Sequence, residues 1–390
     1  MIANSVRWRN LGVAAAAPAA VLFAIFDLYQ WSVAYLGDRF HNDFTFYVAA
    51  ARIGLEHGWP SIYNLTLQQA QLDAMGSRIT IAELARYISP PPVAWLALPF
   101  TSLPFEVAYW IWSALLVAAL VGAWWLAAPS HGRSRLIFLA AAVGWLPVIY
   151  GLQLGQPGMF VALGVASSYA LLKANRPLWA GVALGVLALK PQLAFLVPAA
   201  LLFARHDRAF AGSVVALGTL AVISVIALGP GGMADYQSRL NFAAGVPVNR
   251  ELTLAYFVGA SSATRVIQVA IGLWSLVLAY RTRKRGVEWL YVCALVGGML
   301  ATPYVHLDDL VMLGLAALLV LRVEHSPLAW MYALGAAIAI EGEPIWGPAP
   351  VLVAEAGALA LLSLAALRPE PAPAAPRPQP ARSPQPTTPR

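Results

Sequence analysis

Apolar runs of membrane-crossing length recur from Leu11 almost to Leu367, and this repetition constrains the chain more than any motif within it. A helix needs about 20 apolar residues to cross the hydrocarbon layer, and within that layer every backbone polar group must be satisfied by the chain itself. The residues are 60% hydrophobic and 11% charged, whereas a soluble domain carries about a quarter charged residues. The chain therefore reads as an all-α polytopic membrane protein with about 12 transmembrane helices.

Lysines and arginines orient those helices, since basic loops stay on the cytoplasmic side. The net charge of +7, from 25 Lys+Arg against 18 Asp+Glu, lies between spans and needs no nucleic acid to explain it. Arg7 and Arg9 precede a first span at about 11–36, too long for a signal peptide's apolar region. Residues 38–104 then form a long outer loop with helical stretches near 44–57 and 66–87. Span two covers 105–128 and returns to an inner turn with His131, Arg133 and Arg135. Spans three (136–151) and four (157–172) enclose the outer turn Leu152–Gln156. Basic flanks at Lys173/Arg176 and Arg205/Arg208 call for an even number of crossings between them. Two short spans meeting at Lys190-Pro191 meet that need and put the lysine near the outer surface. Span seven (209–229) leads to a second outer loop, 230–262. Span eight (263–280) ends at the basic run Arg281–Arg285. Spans nine (287–302) and ten (310–322) enclose an outer turn with Tyr304, His306, Asp308 and Asp309. Spans eleven (326–340) and twelve (350–367) leave both termini cytoplasmic. The first unit, 1–367, is followed by a Pro- and Arg-rich tail, 368–390, with too little apolar surface to fold. Cys293 is the single cysteine, which excludes an intramolecular disulfide.

This topology gathers the unusual polar residues on one side: Asp43, Arg52, Glu56, Tyr63, Tyr87, Gln153, Gln156, Lys190, Gln192, Arg239, His306, Asp308 and Asp309. Ionisable groups at membrane depth are costly and usually face a cavity. An outward-opening site at the bilayer surface follows, suited to a substrate with an apolar tail and a polar head. In His41-Asn-Asp-Phe-Thr-Phe-Tyr47, Asp43 stands at the membrane boundary, where a carboxylate can accept a proton from an attacking hydroxyl. One carboxylate suffices for direct displacement of a phosphate, unlike the pair used in glycoside hydrolysis. Lys190, with Arg52 as the alternative, is the candidate to stabilise charge on a departing phosphate.

Several segments taken in order resemble glycosyltransferase family 87, a polytopic GT-C-class group that includes polyprenyl-phosphate-mannose-dependent α-mannosyltransferases. They are Asn42-Asp-Phe-Thr-Phe-Tyr-Val-Ala-Ala50, Gly58 with Ile62-Tyr63, Ser89-Pro-Pro-Pro92, Leu98-Pro99 and Leu103-Pro104, Gly155-Gln156, Leu189-Lys-Pro-Gln-Leu193, and Ala301-Thr-Pro-Tyr304 with Asp309. The resemblance implies a GT-C fold, a polyprenyl-phosphate sugar donor, a lipid or glycan acceptor, and no cofactor or essential metal. It maps the family's first-loop aspartate onto Asp43 and its Lys-Pro lysine onto Lys190. Gln156, Gln153, Tyr63, Tyr304, His306 and Asp309 are the candidate substrate-binding residues. The chain departs from the pattern at Asp308, where family members often carry an aromatic.

Plainer readings stand beside these. Asp43 could cap the helix beginning at Phe44, and Lys190 could be a lysine snorkelling from a helix end. Gln153 and Gln156 could serve only their turn, and Asp308 and Asp309 could cap span ten. Tyr63 and Tyr304 could belong to the interfacial aromatic belt. The leading expectation is transfer of a hexose, mannose or similar, on the outer face of the inner membrane. The alternative is a transporter or flippase for a lipid-linked or small solute, against which no repeated halves are visible. A noncatalytic envelope scaffold is the third.

Overall fold

The computed structural model describes residues 2–82, 85–129 and 134–368. His131, Arg133 and the tail beyond Arg368 lie outside these, as do the side chains of Arg7 and Arg9. The described residues form helices and the turns that join them, without strands. In chain order the α-helices are α1 (Ile2–Gly37), α2 (Asp43–His57), α3 (Leu65–Ala74), α4 (Pro91–Ala97), α5 (Phe105–Ala127), α6 (Ser134–Val143), α7 (Leu146–Leu154), α8 (Gly158–Lys173) and α9 (Pro177–Ala183). They continue as α10 (Leu196–Phe203), α11 (Asp207–Gly245), α12 (Ala255–Val258), α13 (Ser262–Thr282), α14 (Val287–Ala301), α15 (Val311–Val323), α16 (Pro327–Glu341), α17 (Glu343–Trp346) and α18 (Ala349–Leu367).

Helix positions follow the apolar runs closely, but length separates them. Five helices are long and apolar enough to cross a membrane alone: the stretch Ala17–Gly37 of α1, then α5, α11, α13 and α18. A sixth arises if α6 and α7 count as one span bent by 55°. Span three is thus not straight. The bend falls at Gly144-Trp145, with Trp145 extended and Pro147 in the first turn of α7, and the freed Leu146 N–H donates to Glu341 Oε2 at 2.8 Å. The remaining apolar helices, among them α8, α14 and α16, have 10–17 residues. At 1.5 Å per residue these reach about 15–25 Å. The count of twelve is therefore not established by length.

Three expectations are corrected. The expected loop 230–262 is helical up to Gly245, because α11 runs on past a kink at Gly229 (φ +58°). Its second half covers the segment after α1, where Tyr236 stacks on Tyr63 at 4.7 Å. The expected spans between Pro177 and Ala204 are instead α9 with a 3₁₀ stretch (Leu184–Ala188), then a 3₁₀ turn (Pro191–Leu193), then α10. Each arm is too short to cross alone. α9 lies close against α11: a Cβ on Gly181 would stand 1.9 Å from the Ala209 carbonyl oxygen, the small-residue contact typical of membrane helices. At the C-terminal end of α8, Lys173 and Tyr169 bind Glu288 of α14.

The helical stretch expected at 66–87 is only α3, ending at Ala74. The segment 38–104 as a whole wraps its apolar side chains around the end of α5. Phe44 is fully buried between Phe100, Phe105, Tyr109 and Trp112. That cluster fixes the entry to α2, and with it Asp43.

Candidate active site

The turn between α1 and α2 builds the first half of the site. Asn42 Nδ2 donates to the Arg39 carbonyl at 2.8 Å, and Asn42 Oδ1 accepts the Thr45 N–H at 3.1 Å. Asn42 is therefore the N-cap of α2. The capping reading of Asp43 is overturned: Asp43 is the first helical residue, and its carboxylate is not spent on the backbone. The positive end of the helix dipole favours a negative charge there.

The second half comes from the α7–α8 turn. α7 ends at Gly155, in the left-handed region at φ +71°, where L side chains are strained. A Cβ there would sit 2.8 Å from Phe44 Cβ. The Gly155 carbonyl accepts Trp112 Nε1–H at 2.8 Å, so the turn is locked onto the core that carries α2. Gln156 is thereby aimed at the acid. Its Nε2 donates to Asp43 Oδ2, and its Oε1 accepts Tyr47 O–H at 3.3 Å. Gly155→Ala is expected to cost about 1–2 kcal/mol from the backbone alone, with a further loss of activity as Gln156 moves. Thermal unfolding and turnover measured on the same preparation check both.

Lys190 is not at a surface. It occupies the break between the two 3₁₀ stretches, with extended backbone (φ −152°), and is 8% exposed. The snorkelling position expected from the Lys-Pro pair is corrected accordingly. Its Nζ donates to Asp308 Oδ2 at 2.6 Å and pairs with Asp309 Oδ1. Asp309 Oδ2 in turn accepts the His306 N–H at 2.9 Å. His306 Nε2 meets Asn249 Oδ1 at 2.6 Å, and the Tyr304 ring lies 4.8 Å from the imidazole. Asp308 Oδ1 is buried without a hydrogen-bond partner among the described residues.

These groups lie outside the long spans, and their charges act on one another. Burial first, then the Asp308 charge, pushes the Asp43 carboxyl up to about 6; Lys190, His306 and the Gln156 hydrogen bond restrain the rise. Burial works against the charge on Lys190, but Asp308 and Asp309 outweigh it and hold the ammonium protonated. Burial raises Asp309, against the pull of Lys190. Burial also lowers His306. The arrangement thus offers one carboxylate with heightened proton affinity beside a cation shared by two further acids. Chemically, that is a base able to take a proton near neutral pH.

The structure brings together Asp43, Gln156, Lys190, His306, Asp309 and Tyr304. It does not bring in the others. Arg52 donates to the Thr101 carbonyl at 3.1 Å, tying α2 to the approach to α5. Tyr63 is buried in a stack with Tyr87 and Tyr236, its hydroxyl donating to the Ser89 carbonyl at 2.8 Å. Gln153 gives its carbonyl to Tyr109 O–H at 2.9 Å. Asp308, Tyr47 and Asn249 were not among the expected site residues. For Asp308 a signal existed: a lysine within an apolar stretch requires a buried acid, and the two adjacent aspartates were the available partners.

The profile of glycosyltransferase family 87 matches residues 87–340. The match covers Gln156, Lys190 and the 304–309 turn, and leaves Asp43, Arg52 and Tyr63 on its N-terminal side. No curated protein and no solved structure matches the chain. With more than half its length under that profile, the chain belongs to glycosyltransferase family 87 and is a multi-pass membrane glycosyltransferase that uses a sugar donor and an acceptor.

Proposed function

We propose that the enzyme transfers a hexose, mannose or a close relative, from a polyprenyl-phosphate sugar to a lipid or glycan acceptor on the outer face of the inner membrane. The observation that carries this reading is Asp43: one partly buried carboxylate, not engaged in capping, just beyond the end of the first long span. An acceptor hydroxyl attacks C1 of the sugar as Asp43 takes its proton. The bond between C1 and the phosphate oxygen breaks, and the polyprenyl phosphate leaves with the electron pair. One displacement inverts the anomeric carbon, and one base is enough for it. Lys190 donates to Asp308 and is ion-paired with Asp309, and its ammonium charge meets the leaving phosphate. An ammonium thus provides the charge stabilisation that a metal would otherwise supply. Basic turns stay on the cytoplasmic side, so Arg176, Arg208 and Arg281–Arg285 are cytoplasmic, and the 38–104 segment lies outside with both termini inside. Residues 1–367 are the catalytic unit, and the tail is an extension to it.

Purified protein supplied with synthetic polyprenyl-phosphate mannose and membrane-lipid acceptors is expected to form a glycoside of inverted anomeric configuration. Only ionised Asp43 accepts the proton. Therefore kcat/KM should rise as pH rises toward about 6 and level off above it. A rate that falls across that range, or solute flux in liposomes without turnover, would defeat the proposal.

A further inference from the structure

A cleft of about 250 Å³ opens where α1 ends, lined by Ala34, Tyr35, Gly37, Asp38, His41, Asn42, Tyr109 and Gln153. No residue of it belongs to the Lys190–Asp308–Asp309 group. It nevertheless touches both halves of the site, through Asn42, the neighbour of Asp43, and through Gln153, three residues before Gln156. Its polar groups divide into satisfied and waiting ones. Tyr109 O–H accepts from Trp31 Nε1 at 2.7 Å and donates to the Gln153 carbonyl, so it has nothing left to give. Tyr35 is 8% exposed and lies flat on Tyr109, with ring centroids 4.4 Å apart. Its hydroxyl is buried and has no hydrogen-bond partner among the described residues. A buried phenol is usually bonded, and leaving one unmet costs about 1–3 kcal/mol. A ligand hydroxyl would meet it.

We propose that this cleft seats one pyranose ring of the acceptor. The inference rests on the glycosyl-transfer reading above. Size fits one ring, since the cleft falls below the roughly 300 Å³ at which sites for larger ligands begin. Chemistry fits a sugar: the phenol of Tyr35, the carboxylate of Asp38, the imidazole of His41 and the amide of Gln153 line the cleft for its hydroxyls. Position separates acceptor from donor. In an in-line displacement the attacking and leaving oxygens lie on opposite sides of C1, and the base accompanies the attacker. Asp43 adjoins this cleft through Asn42, whereas the cation for the phosphate is Lys190, away from it. The acceptor therefore occupies the cleft and the donor head the Lys190 side.

The test uses the full chain in detergent with Tyr35→Phe, Gln153→Ala, their combination, and Tyr256→Phe as an exposed control. Tyr35→Phe keeps the ring and removes only the waiting hydroxyl, so its thermal midpoint should stay near that of the parent. In transfer assays the acceptor KM should rise about tenfold for Tyr35→Phe and further in the combination, with donor KM and kcat within about twofold. A rise in donor KM, or unchanged acceptor KM, would overturn the assignment. Binding is read separately, without turnover, by saturation-transfer NMR with methyl α-D-mannopyranoside and methyl α-D-glucopyranoside. Signal in the parent that vanishes in the double variant supports the cleft; no signal in the parent, or equal signal in both, refutes it. Absence of transfer by the parent, with binding intact, would count against the glycosyl-transfer reading and leave the sugar cleft standing.

Discussion

Asp43→Asn is expected to lower kcat/KM by about 10²–10⁴-fold, the contribution of a general base, while raising the thermal unfolding midpoint at pH 7. The two halves have one cause. The folded state holds the Asp43 proton more tightly than the unfolded chain does, with the carboxyl raised from its ordinary 3.8 to about 6. Stability from that preference is fully present below about pH 4 and is lost as pH climbs through 6. At pH 7 the ionised acid is a strain on the fold. Asparagine has the same shape, can still bond Gln156, and carries no charge, so it relieves that strain. A side chain that only capped or packed would lose stability on replacement. Activity and stability moving in opposite directions therefore mark a group retained for chemistry at the fold's expense. Transfer rates and thermal unfolding, measured from pH 5 to 8 on both proteins, check this. A variant as active as its parent, or one less stable at pH 7 but not at pH 4.5, would contradict it.

How much of this was legible in the sequence depended on what kind of force placed each residue. Helix ends were close to readable: α5, α13, α16 and α18 begin and end within a few residues of the apolar runs, because length and hydropathy decide them. The segment 230–245 misled because Gly and Pro cluster there, yet the chain resumes a helix after a single positive-φ residue at Gly229. Asp43 was visible as an acid at a membrane boundary, and the resemblance sharpened it. That Asn42 would cap in its place turns on one side-chain rotamer, which no pattern encodes. Gln156 and Asp43 were both named, but their contact was not, since residues 43 and 156 meet only because Trp112 and Phe44 clamp Gly155 from α5 and α2. Tyr63 and Arg52 looked functional for the same reason they are structural: polar atoms in a largely buried segment must find partners, and they found backbone carbonyls at Ser89 and Thr101.

Lys190→Met should be among the most destabilising single changes available to the chain, on the order of 3–5 kcal/mol. Methionine fills nearly the same volume, so the loss would not come from a cavity. It would come from the two carboxylates left behind, Asp308 at 1% exposure and Asp309 at 0%, facing each other with no cation between them. Removing one partner of a buried pair costs far more than replacing the whole group by neutral residues of similar shape. The combination Lys190→Met, Asp308→Asn and Asp309→Asn should accordingly recover most of the thermal midpoint in detergent, although it should remain inactive. Asp308→Asn alone behaves differently. It leaves Lys190 balanced by Asp309, so the fold should tolerate it, and it removes the charge that, after burial, lifts Asp43. The inflection in the pH–rate profile should then shift below 6, with Asp43 becoming a weaker base whose plateau rate is lower. Lys190→Met with an unchanged midpoint would mean that the lysine is solvated after all. An inflection that stayed in place in Asp308→Asn would mean that Asp308 does not act on the base, and the link between the two halves of the site would be broken.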